Sequence, residues 1–235
     1  MRSGQPDTAA ASAPGVDPDP DHRPGGLIMD WGGVLTTGLQ STMTAWCESD
    51  GVDYEQFRAV LRDWLGPSYG RDVEVSPVHA LERGEMEVPD FERRLAARLR
   101  THDGRQVDPE GLLNRMFAGF RTVHTMHDVV RRAKEAGLRT CLLSNSWGNS
   151  YPREGWDEMF DAVVVSGEVG MRKPEPRIYY YAAERIGLPP RACVFVDDLR
   201  SNVRGAAEVG MVGVHHETPE RTIDELESIL DLPLR

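Results

Sequence analysis

From residue 122 onward, short apolar runs alternate with helical stretches. The runs are "LRTCLLSN", "DAVVVS", "ACVFVDD" and "MVGVHH"; the stretches between and after them include "PRIYYYAAERIG", "NVRGAAEVG" and "ERTIDELESIL". Strands that are apolar along their whole length are buried on both faces. Joined through helices, they form a parallel sheet covered on each side. The isolated run "GLIMD" near the start of the chain reads as a further strand of that sheet. The predicted fold is therefore α/β, a doubly wound parallel sheet of Rossmann-like form. Residues 26–41 and 122–235 form its core, and an all-helical insertion over 42–121 interrupts it as a cap.

Local signals support the helical block. Asp53 is placed to cap "DYEQFRAVLRDWL", whose Phe57, Val60, Leu61 and Trp64 fall on one face. Ser76 caps "SPVHALERG", with Pro77 at the first helical position and Gly84 at the stop. Residues 1–25 are rich in Pro, Ala, Gly and Asp, with Met1 and Val16 their only sizeable apolar residues. Such a segment buries too little apolar surface to offset its ordering entropy, so a disordered tail is expected.

The formal net charge of −11 disfavours nucleic acid as a partner, since phosphate backbones recruit lysine- and arginine-rich surfaces. A small anionic ligand needs only a few local donors. No run approaches the about 20 apolar residues of a membrane span, and the start of the chain lacks the apolar segment of a signal peptide. Cys47, Cys141 and Cys193 have no metal-type spacing, and a cytoplasmic location is expected. Oligomeric state is open.

In an open parallel sheet, ligands bind beyond the carboxyl ends of the strands. Three runs end there on reactive polar residues. "GLIMD" ends on Asp30, "TCLLSN" on Ser144 and Asn145, and "CVFVDD" on Asp197 and Asp198. Lys173 lies in the loop "GMRKPEPRIY". Carboxylates gathered in one crevice repel one another and need a cation, and oxygen ligands suit a hard ion such as Mg²⁺. Ser144, Asn145 and Lys173 are the donors that an anionic group requires. The ligand expected from this set is a small phosphorylated metabolite.

Four segments in order, "IMDWGGVLT", "LLSNS", "GMRKPEP" and "VFVDDLRSN", resemble the motifs of the haloacid dehalogenase-like hydrolase superfamily, in its helical-cap, phosphatase-like form. "SNSW" and "DDLRSN" also resemble the phosphatase domain of soluble epoxide hydrolases. The resemblance implies a phosphatase that works through an aspartyl-phosphate. It makes Asp30 the nucleophile and Lys173 its charge partner, with Ser144, Asn145 and Lys173 on the phosphoryl group. Asp30, the Gly32 carbonyl and Asp198 would hold Mg²⁺, with Asp197 as a ligand or a neighbour of one. Asn202 would orient this loop or the Lys173 ammonium.

Gly32 departs from the pattern, because family phosphatases usually carry there an aspartate that moves the proton. Three readings follow. The leaving group needs little help, as in an acyl phosphate or an anomeric sugar phosphate. A cap residue substitutes, His79 being the candidate. Or hydrolysis is lost and phosphate or partner binding kept. A 2-haloacid dehalogenase is a further alternative, disfavoured because a metal-free site would leave the Asp197–Asp198 pair uncompensated.

Overall fold

The computed structural model describes residues 23–66, 76–148 and 150–235. Residues 1–22, most of the expected tail, lie outside them. Five parallel strands form one sheet: β1 (Gly26–Met29), β2 (Arg139–Ser144), β3 (Ala162–Val165), β4 (Cys193–Asp197) and β5 (Val212–His215), in the order β3-β2-β1-β4-β5. β1 is central because all four of its residues are buried and it carries no polar face to present to water. It pairs with β2 on one side and β4 on the other, Met29 standing beside both Leu142 and Val196. The chain returns past its starting strand to add β4, which makes β1 the point where strand order reverses. The three strands whose ends carry the candidate residues are thus immediate neighbours.

Each face of the sheet has its own buried cluster. Leu27, Met29, Leu142, Val194 and Val196 pack on one side with α6 (His124–Glu135) and α11 (Pro219–Leu230). Ile28, Cys141, Leu143 and Phe195 pack on the other with Ile178, Tyr179 and Ala182 of α9 (Pro176–Arg185). This alternation along each strand is the two-residue period of a β-strand. α10 (Arg200–Glu208) packs against β4 and β5, and the short α7 (Trp156–Met159) and α8 (Ser166–Val169) stand before and after β3 in the chain.

Among the described residues between β1 and α6 lie five helices: α1 (Leu39–Asp50), α2 (Tyr54–Leu65), α3 (Pro77–Glu82), α4 (Val88–Arg98) and α5 (Leu112–Phe117). They share a third cluster that includes Trp46, Phe57, Phe91, Leu95 and Met116. The Asp53 side chain accepts from the backbone N–H groups of Glu55 and Gln56, and Ser76 accepts from that of His79. α1 starts at Leu39, ahead of residue 42, where the sequence places the start of the helical block. Its first turns, "LQSTMT", are mostly polar, and its N-cap Gly38 makes no side-chain cap, so no local signal marks the start. Among the described residues, no helix is long and apolar enough to cross a membrane.

Candidate active site

β1 delivers Asp30 to the carboxyl edge of the sheet, where its N–H donates to the Val196 carbonyl at 2.9 Å. β4 ends beside it on Asp197, and Asp198 follows. Carboxylate oxygens of Asp30, Asp197 and Asp198 lie within 4.8 Å of one another. The Lys173 ammonium, only 1% exposed, sits between two of them, 2.6 Å from Asp30 Oδ1 and 2.6 Å from Asp197 Oδ2. Its third proton goes to the Leu143 carbonyl at 3.0 Å. Burial works against the charged form of Lys173, but Asp197 and Asp30 outweigh it and hold the ammonium above its ordinary range.

Asp197 is fully buried and its oxygens are engaged. Oδ1 accepts from the Leu199 N–H at 2.8 Å, and the Asn202 amide donates to Oδ1 at 3.0 Å and to Oδ2 at 3.1 Å. Asn202 therefore orients Asp197, which in turn holds Lys173. Asp198 is only partly buried, and burial, followed by the charge of Asp197, pushes its carboxyl up to about 6. Burial likewise drives Asp30 well above the usual carboxylate range, helped by Asp197 and Asp198 and opposed by Lys173.

Three carboxylates face one ammonium. Ionised together they leave an excess of negative charge that a divalent cation would balance. The groups that cluster here, the carboxylates of Asp30, Asp197 and Asp198, offer only oxygen atoms, which suits a hard ion. Gly33 keeps this corner open. Its φ is +80°, and a Cβ there would lie 2.3 Å from Asp198 Oδ2. The left-handed turn after Asp30 thus belongs to Gly33. At Gly32 a Cβ would meet nothing within 4 Å.

The remaining candidates are distributed as follows. The Ser144 hydroxyl lies 2.9 Å from the Tyr151 hydroxyl. The Asn145 carboxamide clasps the backbone of Lys173, accepting from its N–H at 2.8 Å and donating to its carbonyl at 3.0 Å. That clasp fixes the lysine loop against the end of β2 and occupies the amide. His79 is buried on α3 and does not line the cavity described below. Burial, then Arg172 and Arg83, lowers its pKa to about 4, so it is neutral at physiological pH.

A cavity of about 370 Å³ opens above the carboxylates, bounded by strand-end loops and by parts of α1, α3 and α5. Glu82, the last residue of α3, reaches into its wall. Its carboxylate accepts from Arg172 Nε at 2.5 Å and from Trp147 Nε1 at 3.1 Å. Its carbonyl accepts from the Ser166 hydroxyl at 2.5 Å, and Ser166 in turn accepts from the Ser146 N–H at 2.8 Å. This chain of contacts ties the helical insertion to the sheet. Sequence reasoning did not reach Glu82 or Tyr151, because nothing beside them distinguishes a surface position from one that meets a partner far away in the chain. Trp31 and Trp147 both line the cavity while also packing on neighbouring rings, Trp31 on Trp156 and Trp147 on Phe91.

The haloacid dehalogenase-like hydrolase family model matches residues 25–210. Among curated proteins, mouse bifunctional epoxide hydrolase 2 is 25% identical over 190 residues, which cover 74% of this chain and 34% of that protein. Glyceraldehyde 3-phosphate phosphatase of Methanopyrus kandleri is 35% identical over 95 residues, covering 34% of this chain and 41% of that one. The matched segments thus span well under half of each relative. Among solved structures, a HAD family enzyme from Bacteroides thetaiotaomicron in complex with magnesium and inorganic phosphate superposes with a TM-score of 0.56 at 19% identity. That match covers 82% of this chain and 93% of that one.

Proposed function

The chain belongs to the haloacid dehalogenase-like hydrolases, and on that premise we propose that it is a Mg²⁺-dependent phosphomonoesterase acting on a small phosphorylated metabolite. The observation that carries this reading is the pairing of Lys173 with both Asp30 and Asp197, next to the partly exposed carboxylate of Asp198. A dehalogenase reading leaves that third carboxylate without a role. Residues 26–41 and 122–235 act as the catalytic core and 42–121 as the cap, in a cytoplasmic enzyme. The archaeal relative, itself a phosphatase, supports the choice of reaction.

Asp30 attacks phosphorus in line. The bond to the leaving oxygen breaks, and water then cleaves the aspartyl-phosphate to release phosphate. Lys173 holds Asp30 Oδ1 and lessens the repulsion between nucleophile and phosphoryl oxygens. The Ser144 hydroxyl, backed by Tyr151, and the main chain at Asn145 bind those oxygens. Asp30, the Gly32 carbonyl and Asp198 would hold Mg²⁺, with Asp197 kept out of its shell by its own hydrogen bonds. The ion, when bound, adds positive charge opposite the phosphoryl oxygens. Phosphate release from a panel of phosphomonoesters, with and without Mg²⁺ and excess chelator, tests the reading. Turnover that survives chelation would refute it.

Metal binding has a second readout. Mg²⁺ at about 100 times its Kd adds about 2.7 kcal/mol of stability, roughly 5–10 °C in Tm for a domain of this size. The apo protein holds Asp198 and Asp30 above their unfolded pKa values. Their contribution to apo stability is therefore present at acid pH and lost as pH rises through about 6 for Asp198. Mg²⁺ competes with those protons. The Mg²⁺-induced shift in Tm is expected to be large at pH 7.5, to shrink below pH 6, and to vanish in Asp198→Ala. A shift of equal size at pH 5 and pH 7.5 would show that these carboxylates do not hold the ion.

Gly32 leaves the leaving group without a proton donor at the family position. A side chain fits there, since its backbone lies outside the left-handed region and its Cβ position is open. Gly32→Asp is expected to raise kcat/KM on alkyl phosphates by up to about 10²-fold while changing aryl phosphates little. Equal rates for alkyl and aryl substrates in the wild type would mean that another residue already supplies the proton.

A further inference from the structure

Resting on the phosphatase reading, we propose that the leaving group is an apolar alcohol or phenol rather than a sugar. The apolar part of the cavity lining includes Leu39, Phe117, Phe120, Trp147 and Leu199. Phe117 and Phe120 are stacked, with ring centroids 5.4 Å apart and planes 3° from parallel. Trp147 stands edge-on to Phe117 at 6.1 Å. Only four large apolar side chains are exposed among the described residues, and two of them, Leu39 at 40% and Leu199 at 48%, border this cavity. Exposed apolar side chains gathered at one opening mark a surface that an apolar ligand covers.

Several polar groups of the wall are already engaged. Glu82 and Arg172 are paired, and the Trp147 N–H is bonded to Glu82. The Arg121 guanidinium donates to the carbonyls of Ala118 and Phe120, at 2.9 Å each. The hydroxyls of a sugar would lose water here and gain few partners, whereas an alkyl or aryl group loses nothing by leaving water. The phosphoryl end keeps the Ser144 hydroxyl as a donor and the positive charge of Lys173 behind Asp30, so one cavity offers a charged floor and an apolar wall. That division suits an amphiphilic phosphomonoester.

The test is a graded substrate series with Mg²⁺ present: methyl, butyl and octyl phosphate, phenyl and naphthyl phosphate, and glucose 6-phosphate. Within the alkyl series kcat/KM is expected to rise by about fourfold for each methylene that enters the cavity, with glucose 6-phosphate below butyl phosphate. The aryl members tell whether a phenol or an aliphatic alcohol is preferred. A flat series, or a sugar phosphate equal to the octyl ester, would overturn the proposal. Leu39→Asn and Leu199→Asn change exposed side chains and should fold. Combined, they are expected to lower the octyl-to-methyl ratio severalfold, and an unchanged ratio would place the alkyl group elsewhere. If no ester releases phosphate, the hydrolytic reading fails by itself. Calorimetric titration with methyl-, butyl- and octylphosphonate then judges the apolar wall separately. Affinity rising with chain length would uphold it, and affinity independent of length would refute it.

Discussion

Asp30→Asn is expected to lower phosphatase turnover by about 10⁴-fold or more, with no loss of thermal stability at neutral pH. The amide cannot form the acyl-phosphate link, so the two-step route closes. Its oxygen can still accept from the Lys173 ammonium, which also keeps Asp197 as a charged partner. Burial holds the native Asp30 carboxyl well above its ordinary range, which means that ionising it at pH 7 works against the folded state. A neutral side chain removes that opposition and the repulsion from Asp197 and Asp198. The Tm of Asp30→Asn should therefore equal or exceed that of the wild type at pH 7.5. Circular dichroism melts and a phosphate-release assay on the same preparation check both halves. More than a few per cent of wild-type turnover in the folded variant would remove Asp30 from the nucleophile's role.

Lys173→Met is expected to damage both activity and fold. The ammonium is buried between two carboxylates, and deleting it leaves them in a dry site with no counter-charge. Breaking a buried ion pair from one side costs about 3–5 kcal/mol, or roughly 6–20 °C in Tm for a domain of this size. Loss of a preorganised positive charge at the reacting group lowers turnover by about 10²–10³-fold. The pH dependence separates this cause from a packing defect. Without Lys173, the Asp30 pKa rises further above its unfolded value, because the charge that opposes the effect of burial is gone. Groups of that kind stabilise the fold at low pH and lose the contribution as pH rises. The deficit of the variant should thus narrow between pH 7.5 and pH 5. A deficit that does not change with pH would point to lost packing.

The elements that the sequence discloses are those whose causes are local. β1, β2 and β4 appear as apolar runs ending on Asp30, Ser144 and Asp197, because a strand buried on both faces has no room for polarity until it leaves the sheet. Asp53 and Ser76 mark α2 and α3, because a cap is decided within one helical turn. α1 gave no such signal and starts at Leu39 without a side-chain cap. Adjacent residues can also trade roles that only torsion angles separate: the turn after Asp30 belongs to Gly33, whose φ is +80°, and the side-chain position at Gly32 is open.

Composition names the donors and acceptors near a site, and the tertiary fold decides which of them are already used. Asn145 reads from its neighbours as a phosphate donor, yet its carboxamide clasps the backbone of Lys173, 28 residues away. Asp197 and Asp198 look alike in "VFVDD". One is saturated by Lys173, Asn202 and Leu199, while the other is left partly open toward Gly33. The cavity wall belongs wholly to this second kind of information. Glu82 meets Arg172 across 90 residues, and Leu39, Phe117 and Leu199 come together only because β1, β2 and β4 are neighbours in the sheet. The sequence alone determined the strands, the caps and the chemistry available at the strand ends, since each follows from burial and hydrogen bonding within a few residues. Which groups converge, and which remain free to act, was decided by the order of the strands and the seating of the insertion, because those contacts exist only between segments remote in the chain.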